Sequence, residues 1–240
     1  MELLDVLNKV HLGGLNDVCI VGRDGSVAVA DVSNVVFTYV DPKEDTFDEL
    51  SASIGIRDIS TFIKILSSAA EAKKGSVIIQ TDNILTIDDD GKVKLRFADV
   101  EAIPRIENPE KIISSLRGQF RVSAVLKQAE LHKFKRKYEQ LKPEIVTVKV
   151  VRKDGIVSLM CILGEDIGHV GYVVLSRKVK ARIAECETVY KADYLMQVFG
   201  SITEEKVAVG LGHGLPIMVE EESSDCRVAW ILSPFDFVSA

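Results

Sequence analysis

The stretch from residue 119 to residue 142 changes its hydrophobic period partway along. Alternate residues from Phe120 to Leu126 are apolar, which is the two-residue repeat of a strand with one buried face. From Leu131 onward the apolar residues are spaced by three and four, as in a helix that packs on one side; they are Leu131, Phe134, Tyr138 and Leu141. The pattern therefore predicts a strand that runs directly into an amphipathic helix.

The same change from strand to helix occurs elsewhere in the chain. Residues 52–56 alternate before a helical pattern that begins near Ile59, and residues 183–190 read as a strand before a helical pattern that begins near Tyr194. Residues 3–10 form a fourth helical pattern, whose preceding strand is absent or very short.

Three strand-like runs follow each of the four helices. Gly, Asp and Asn separate many of them, including at the turns expected at Asp82-Asn83 and at Asp90-Gly91. The runs are 17–22, 26–32 and 34–40; 76–80, 83–88 and 92–98; 145–152, 155–163 and 168–176; and 205–211, 215–221 and 226–233. The chain is thus predicted to contain four copies of one unit of about 55 residues, a helix followed by a three-strand meander.

Residues 101–118 separate the second copy from the third. Two prolines, Pro104 and Pro109, and the lack of sustained alternation indicate a connector between domains at 1–100 and 119–240. Helices and many antiparallel strands joined by short turns favour an α+β fold over a Rossmann order. We expect the helices to lie side by side on one face of antiparallel sheets, with their other faces exposed.

The composition excludes several classes of protein. The apolar runs are interrupted by charges and fall short of the ~20 residues that a membrane helix needs. The four cysteines lie far apart, which favours free thiols in a reducing compartment, in the cytoplasm or the nucleus. The four histidines are also scattered, so we expect neither a metal nor a cofactor, and no paired acid and base suggests an enzyme.

Cations lie opposite or beside the apolar stripes of the helices. Lys133 and Arg136 fall opposite the stripe of the third helix, and Lys137 lies on its flank. Arg57 and Lys64 occupy the corresponding positions at the second helix, and Lys9 does so on the first. Any soluble helix has a charged outer face, but the fourfold repeat makes a shared basic surface the better interpretation. The net charge of −6 allows such a surface on an otherwise acidic protein.

Two short strings near the C-terminus, together with the order of the elements, resemble a known family. Leu215-Pro-Ile-Met-Val-Glu-Glu and Trp230-Ile-Leu-Ser-Pro234 are similar to Val-Pro-Leu-Val-Val-Glu-Tyr and Tyr-Tyr-Leu-Ala-Pro of the DNA sliding clamps. The whole chain resembles clamps of the proliferating cell nuclear antigen type and their T-even phage counterparts, most closely over residues 120–157.

The resemblance implies a two-domain sliding-clamp fold and a function in DNA replication. Such proteins are processivity factors without catalytic activity that form a ring, usually a homotrimer, whose helices surround duplex DNA without reading its sequence. They tether DNA polymerase and other replication or repair enzymes, and a clamp loader places them on DNA. The cations that would face DNA here are Lys9, Arg57, Lys64, Lys133, Arg136 and Lys137.

The resemblance also implies two protein-binding surfaces. Rings of this type close by pairing of edge strands, and the residues in the matching strands are Lys94, Arg96, Val170, Tyr172 and Val174. Partner peptides insert an apolar plug beside the connector, where the matching residues are Val35, Ile103, Ile106, Pro216, Ile231 and Ser233. Phe235 and Phe237 replace the usual acidic tail, and they could cover this pocket.

Other functions stay open from the sequence. The chain could be a subunit of a hetero-oligomeric or checkpoint clamp, or a monomeric processivity factor that holds DNA electrostatically. A small enzyme or a ligand-binding protein with a site assembled from loops is the alternative of a different class.

Overall fold

A computed structural model describes most of the chain. It covers residues 1–44, 46–47, 50–71, 77–81, 84–89, 91–164, 168–183 and 185–235. The turn expected at Asp82-Asn83 lies outside the described residues, as do Asp90 and the tail beyond Phe235.

Five α-helices and sixteen β-strands form in the described residues. The helices are α1 (Leu3–His11), α2 (Ile59–Glu71), α3 (Pro109–Gln119), α4 (Gln128–Leu141) and α5 (Ala192–Gly200). The strands of the first half are β1 (Val18–Val21), β2 (Val27–Ala30), β3 (Val36–Pro42), β4 (Ile54–Arg57), β5 (Val77–Thr81), β6 (Ile84–Asp89) and β7 (Gly91–Arg96). Those of the second half are β8 (Val122–Lys127), β9 (Ile145–Lys153), β10 (Ile156–Leu163), β11 (Gly171–Ser176), β12 (Val179–Ala181), β13 (Glu187–Lys191), β14 (Lys206–Leu211), β15 (Ile217–Glu222) and β16 (Cys226–Leu232).

The chain divides into two compact units. The first contains Met1–Val32, Thr38–Glu107 and Ser224–Val228. The second contains Ser33–Phe37, Asn108–Ser223 and Ala229–Ala240. Two strands, β3 and β16, therefore contribute residues to both units.

Strands of the two repeats interlock in the second unit. The strand β8 precedes α4 and pairs with β14, which follows α5. In the same way, β13 precedes α5 and pairs with β9, which follows α4. One sheet has the strand order β11-β10-β9-β13. A second sheet contains β12, β8, β14, β15 and β16 in that order. Neither repeat can therefore complete its sheet alone.

The first unit follows the same scheme. Its strand before α2 is β4, which pairs with β1, the first strand after α1. The strands β5, β6 and β7 form an antiparallel meander. Helix α1 packs against α2, and Phe62 of α2 stacks on Phe97 with ring centroids 6.2 Å apart.

The change of period at residues 119–142 corresponds to β8 and α4. In β8 the residues Val122, Ala124 and Leu126 are buried and their neighbours are exposed. In α4 the side chain of Phe134 is 0% exposed and meets Phe199 of α5 edge to face, with centroids 5.1 Å apart. The predicted α+β fold, with helix and three-strand repeats and paired helices on antiparallel sheets, is confirmed.

The strand predicted over 183–190 is wrong in its extent. The structure instead has β12, which pairs with β8, and β13, which pairs with β9 in another sheet. The chain leaves β12 at Ala181 and enters the other sheet at Glu187, so β13 begins four residues later than predicted.

The predicted connector contains a helix that the sequence analysis did not anticipate. Helix α3 begins at Pro109, a residue suited to the first turn because its missing N–H needs no partner there. Its Ile113 is buried, and Arg117 forms an ion pair with Glu220 of β15, in the same unit. Proline at this position therefore starts a helix rather than marking an irregular linker.

Candidate nucleic-acid and subunit interface

A groove with a volume of about 560 Å³ lies beside α4 in the second unit. Its walls come from α4, from the edge strand β11 and from the ends of β8 and β14. We call it the basic groove, because among the described residues its lining includes one carboxylate, Glu130, and seven cations: Lys127, Lys133, Arg136, Lys137, Arg177, Lys178 and Lys206.

The cations of α4 differ in how far their charge is compensated. The ammonium of Lys133 donates to Oε2 of Glu130 at 2.9 Å, one helical turn away. Arg136 and Lys137 are exposed and form no ion pair within the described part of the chain. Arg136 and Lys137 therefore provide the stronger attraction for phosphate.

The other three predicted DNA-binding cations belong to the first unit. Lys64 is exposed on α2, and Lys9 on α1 is half-buried. Arg57 is exposed at the end of β4, where its Nη2 donates to the carbonyl of Ala102 at 3.5 Å. Their role in binding DNA stays a prediction.

The predicted subunit-interface residues lie on edge strands. Tyr172 and Val174 of β11 are 60% and 36% exposed and line the basic groove, and Val170 is half-buried just before this strand. Lys94 and Arg96 are exposed on β7, the edge of the β5-β6-β7 sheet in the described residues. Residues predicted separately for DNA and for subunit contact thus meet in the same groove.

The predicted peptide-pocket residues differ in accessibility. Val35, Pro216 and Ser233 of the second unit are half-buried, and the N–H of Ser233 donates to the carbonyl of Val35 at 2.8 Å. In the same unit Ile231 is only 6% exposed. The first three residues are therefore the better candidates there for contact with a peptide.

In the first unit the two connector candidates also differ. Ile103 is 6% exposed, and a Cβ at Gly55 would lie 2.9 Å from its Cδ1, so Ile103 packs closely on β4. Ile106 is half-buried. Ile106 therefore offers more surface to a peptide than Ile103 does.

Sequence reasoning missed four cations of the basic groove. Lys127 occupies the exposed side of the β8 alternation, and Arg177 and Lys178 directly follow β11, so a charge count at strand ends could have suggested these three. Lys206 joins them only because β14 pairs with β8 and places Lys206 opposite Lys127. That long-range pairing has no local signal.

The described residues show no arrangement typical of a metal or thiol-based site. They contain no group of three or more His, Cys, Asp or Glu residues that could hold a metal ion. All four cysteines are buried free thiols, and burial raises the pKa of Cys19 to about 12 and that of Cys186 to about 11. Within the described part of the chain, no helix has the length and apolarity needed to span a bilayer.

Comparisons with known proteins relate this architecture to one fold. The sequence matches no protein-family model and no curated protein. The structure is similar to PCNA from Thermococcus kodakaraensis, with a TM-score of 0.71 and 18% identity over 97% of this chain and 95% of that chain.

Two further solved structures of PCNA proteins are also similar to this chain. A chain of the PCNA2–PCNA3 complex from Sulfolobus tokodaii has a TM-score of 0.71 and 17% identity, covering 96% of each chain. PCNA from A. fulgidus, in a structure with the C-terminal region of FEN-1 bound, has a TM-score of 0.71 and 16% identity over 98% of this chain and 95% of that chain. The chain therefore has the fold of the PCNA sliding clamps over nearly its whole length, as the resemblance implied.

Proposed function

We propose that the protein is a DNA sliding clamp, a ring-forming processivity factor that surrounds duplex DNA and tethers DNA polymerase. The observation that carries the proposal is the match of nearly the entire chain to PCNA structures. The protein would act on DNA in a reducing compartment, the cytoplasm or the nucleus, and would hold its partners without catalysing a reaction.

The charges of the helices suit this function. Exposed cations on α2 and α4, among them Lys64, Arg136 and Lys137, can contact phosphates of any sequence, while the chain as a whole carries a net charge of −6. Phosphate contacts of this kind are weak and sensitive to salt, so the ring can move along the duplex. Closure around DNA, rather than affinity, would then keep the clamp bound.

The ring would close by pairing β11 of one subunit with β7 of the next, most simply as a homotrimer. Both strands are sheet edges in the described residues, and an edge that finds no partner promotes aggregation. Pairing in a closed ring would satisfy both edges in every subunit.

Partner proteins would bind through short peptides. The solved PCNA of A. fulgidus carries the C-terminal region of FEN-1. In this protein the half-buried Val35, Pro216 and Ser233, with Ile106, would receive an apolar plug from DNA polymerase, a clamp loader or a repair enzyme.

Light scattering after size exclusion tests the ring directly. A closed homotrimer would have about three times the mass of the 26.4 kDa chain. A monomer at every micromolar concentration would contradict the proposal.

Charge reversal tests the role of α4 in holding DNA. Lys133→Glu with Arg136→Glu should weaken DNA binding and polymerase processivity at least tenfold at constant salt, because two phosphate contacts become repulsive. Lys111→Glu with Lys153→Glu changes the net charge equally at exposed positions outside the basic groove and serves as the control. Equal effects of the two double variants would remove α4 from the proposed DNA contact.

A further inference from the structure

One side of β8 is exposed along the whole strand. Ser123, Val125 and Lys127 lie on this side, and Arg121, directly before the strand, is exposed as well. The exposed side continues onto β12 and β14, because both strands pair with β8. We call this surface the basic sheet face; its residues are Arg121, Ser123, Val125, Lys127, Lys180, Arg182, Lys206, Ala208 and Gly210.

Cations face each other at both ends of the basic sheet face. Lys127 is directly opposite Lys206 in the pairing of β8 with β14. Arg182 lies opposite Arg121, and its N–H donates to the carbonyl of Arg121 at 2.8 Å. Like charges that are directly opposite on neighbouring strands destabilise a sheet. The two pairs therefore cost stability, and an anion bound between their members would replace this repulsion with attraction.

Carboxylates compensate these cations only in part. The ammonium of Lys206 lies 3.9 Å from Oε1 of Glu205, and both side chains are largely exposed, so this pair is weak. On β15, Glu220 borders the face but already forms an ion pair with Arg117, and Glu222 is exposed two residues further along. The cations of the face that form no ion pair within the described part of the chain are Arg121, Lys127, Lys180 and Arg182.

An aromatic ring lies on the same face. Gly210 is opposite Ser123, so a side chain at position 210 would point to this side of the sheet. A Cβ at Gly210 would collide with the ring of Phe120, which means that the ring fills this space. Phe120 is half-buried and directly precedes Arg121 in the chain. The face therefore presents part of an aromatic ring beside the pair of Arg121 and Arg182.

The dimensions of the face suit one nucleic-acid strand. Arg121 and Lys127 are six positions apart, which corresponds to about 20 Å at ~3.3 Å per residue, and the three strands span about 10 Å. A band with these proportions can follow one phosphate backbone, whereas a duplex presents two. The bases of a single strand can also stack on an aromatic side chain, which paired bases inside a duplex cannot do.

A protein partner fits the face less well. Specific protein interfaces rely on large apolar or aromatic anchors that fill pockets. Val125, which is 40% exposed, is the large apolar side chain that this face exposes among the described residues, and its neighbours Ser123 and Ala208 are small. Phosphates need cations rather than apolar pockets, so the chemistry of the face favours nucleic acid over an acidic peptide.

We propose that the basic sheet face binds single-stranded nucleic acid through its phosphates, with a base stacked on Phe120. This site goes beyond the proposed function, because it lies on a sheet rather than on the helices and requires no closed ring. Lys127 and Lys206 also line the basic groove, so the two surfaces meet at the start of α4. A single strand that leaves a duplex held by α4 would therefore find the face next to it.

Charge reversal on the face tests the proposal. Fluorescence anisotropy of a labelled single-stranded DNA of about 20 nucleotides measures the binding. Arg121→Glu with Arg182→Glu should weaken binding at least tenfold and reduce the slope of log affinity against log salt by about 1.4, or about 0.7 for each lost phosphate contact. Lys111→Glu with Lys153→Glu changes the net charge equally at exposed positions outside the face and serves as the control. Equal losses in the two double variants would overturn the proposal.

A second double variant separates the face from α4. Lys133 and Arg136 line the basic groove but do not belong to the face, so their reversal to Glu should weaken oligonucleotide binding less than reversal of Arg121 and Arg182 does. The opposite order would place the single strand on α4 and overturn the proposal. A native protein that binds the oligonucleotide through the face but is not retained on circular duplex would support this site and count against the ring.

Phe120→Leu tests the stacking contact. Leucine keeps the apolar packing on Gly210 but cannot stack on a base, so binding should weaken at least about fivefold while the salt slope stays unchanged. Unchanged affinity would overturn the stacked arrangement.

Arg182→Gln tests whether the facing cations serve binding rather than folding. The change removes one repulsive pair, so it should weaken oligonucleotide binding while the urea midpoint of unfolding stays the same or rises. A lower midpoint with unchanged binding would show that Arg182 stabilises the sheet, and it would overturn the argument from repulsion.

Competition identifies the class of ligand. Unlabelled single strand should displace the label at concentrations at least about tenfold lower than poly-glutamate or a duplex of the same length. Displacement by poly-glutamate at equal concentration would mean that the face takes acidic protein segments. A duplex that competes better than the single strand would mean that it takes double-stranded DNA. Either result would overturn the proposal.

Discussion

Replacing Phe134 by alanine should destabilise the second unit strongly, because this side chain joins α4 to α5. Phe134 is 0% exposed, lies edge to face with Phe199 at 5.1 Å and stacks on Tyr138 at 6.5 Å. Truncating a buried phenylalanine costs about 3–5 kcal/mol in free energy of unfolding, which includes the cavity left behind. Loss of the aromatic pair with Phe199 accounts for about 0.5–1.5 kcal/mol of that cost.

Phe134→Leu separates these contributions. Leucine keeps most of the buried volume but not the ring contacts, so we expect a loss of about 1–2 kcal/mol. Urea unfolding followed by fluorescence measures both variants, because the chain has one tryptophan, Trp230, and it is fully buried in the second unit. A loss below about 1 kcal/mol for Phe134→Ala would refute the view that the buried apolar face of α4 holds this helix against α5.

Two further predictions concern charge and thiols. Glu130→Gln should strengthen DNA binding and steepen its salt dependence, because it frees Lys133 from its ion pair and removes a carboxylate from the basic groove. Unchanged salt dependence of DNA binding would contradict a role for Lys133 in phosphate contact. A thiol reagent at pH 8 should label almost no cysteine in the native protein and all four cysteines after unfolding. The reason is that burial raises the pKa of Cys19 to about 12 and that of Cys186 to about 11. Rapid labelling of the native protein would show that these thiols are accessible.

Local periodicity predicted the main elements because burial repeats along each of them. The alternation that ends at Leu126 and the helical spacing that begins at Leu131 both arise from one face that packs on the core, so β8 and α4 could be read directly. Helix α3 was missed because Pro109 is compatible with both a linker and a helix start, and only the packing of Ile113 decides between them.

The site was predictable only in part. Arg136 and Lys137 could be found because a helix places their side chains by sequence spacing alone. The pairing of Lys206 with Lys127 depends on which strands become neighbours, which is a property of the whole fold. The segment between β12 and β13 was misread for the same reason, since its ends belong to different sheets.

Retention on DNA of different topology tests the central claim most directly. The native protein would be incubated at micromolar concentration with nicked circular duplex, and the complex would be isolated by gel filtration in high salt before and after one restriction cut. A sliding clamp should stay with the circle, where phosphate contacts alone would fail, and should leave once the DNA has ends. Equal retention of the bound protein on circular and cut DNA would contradict the account.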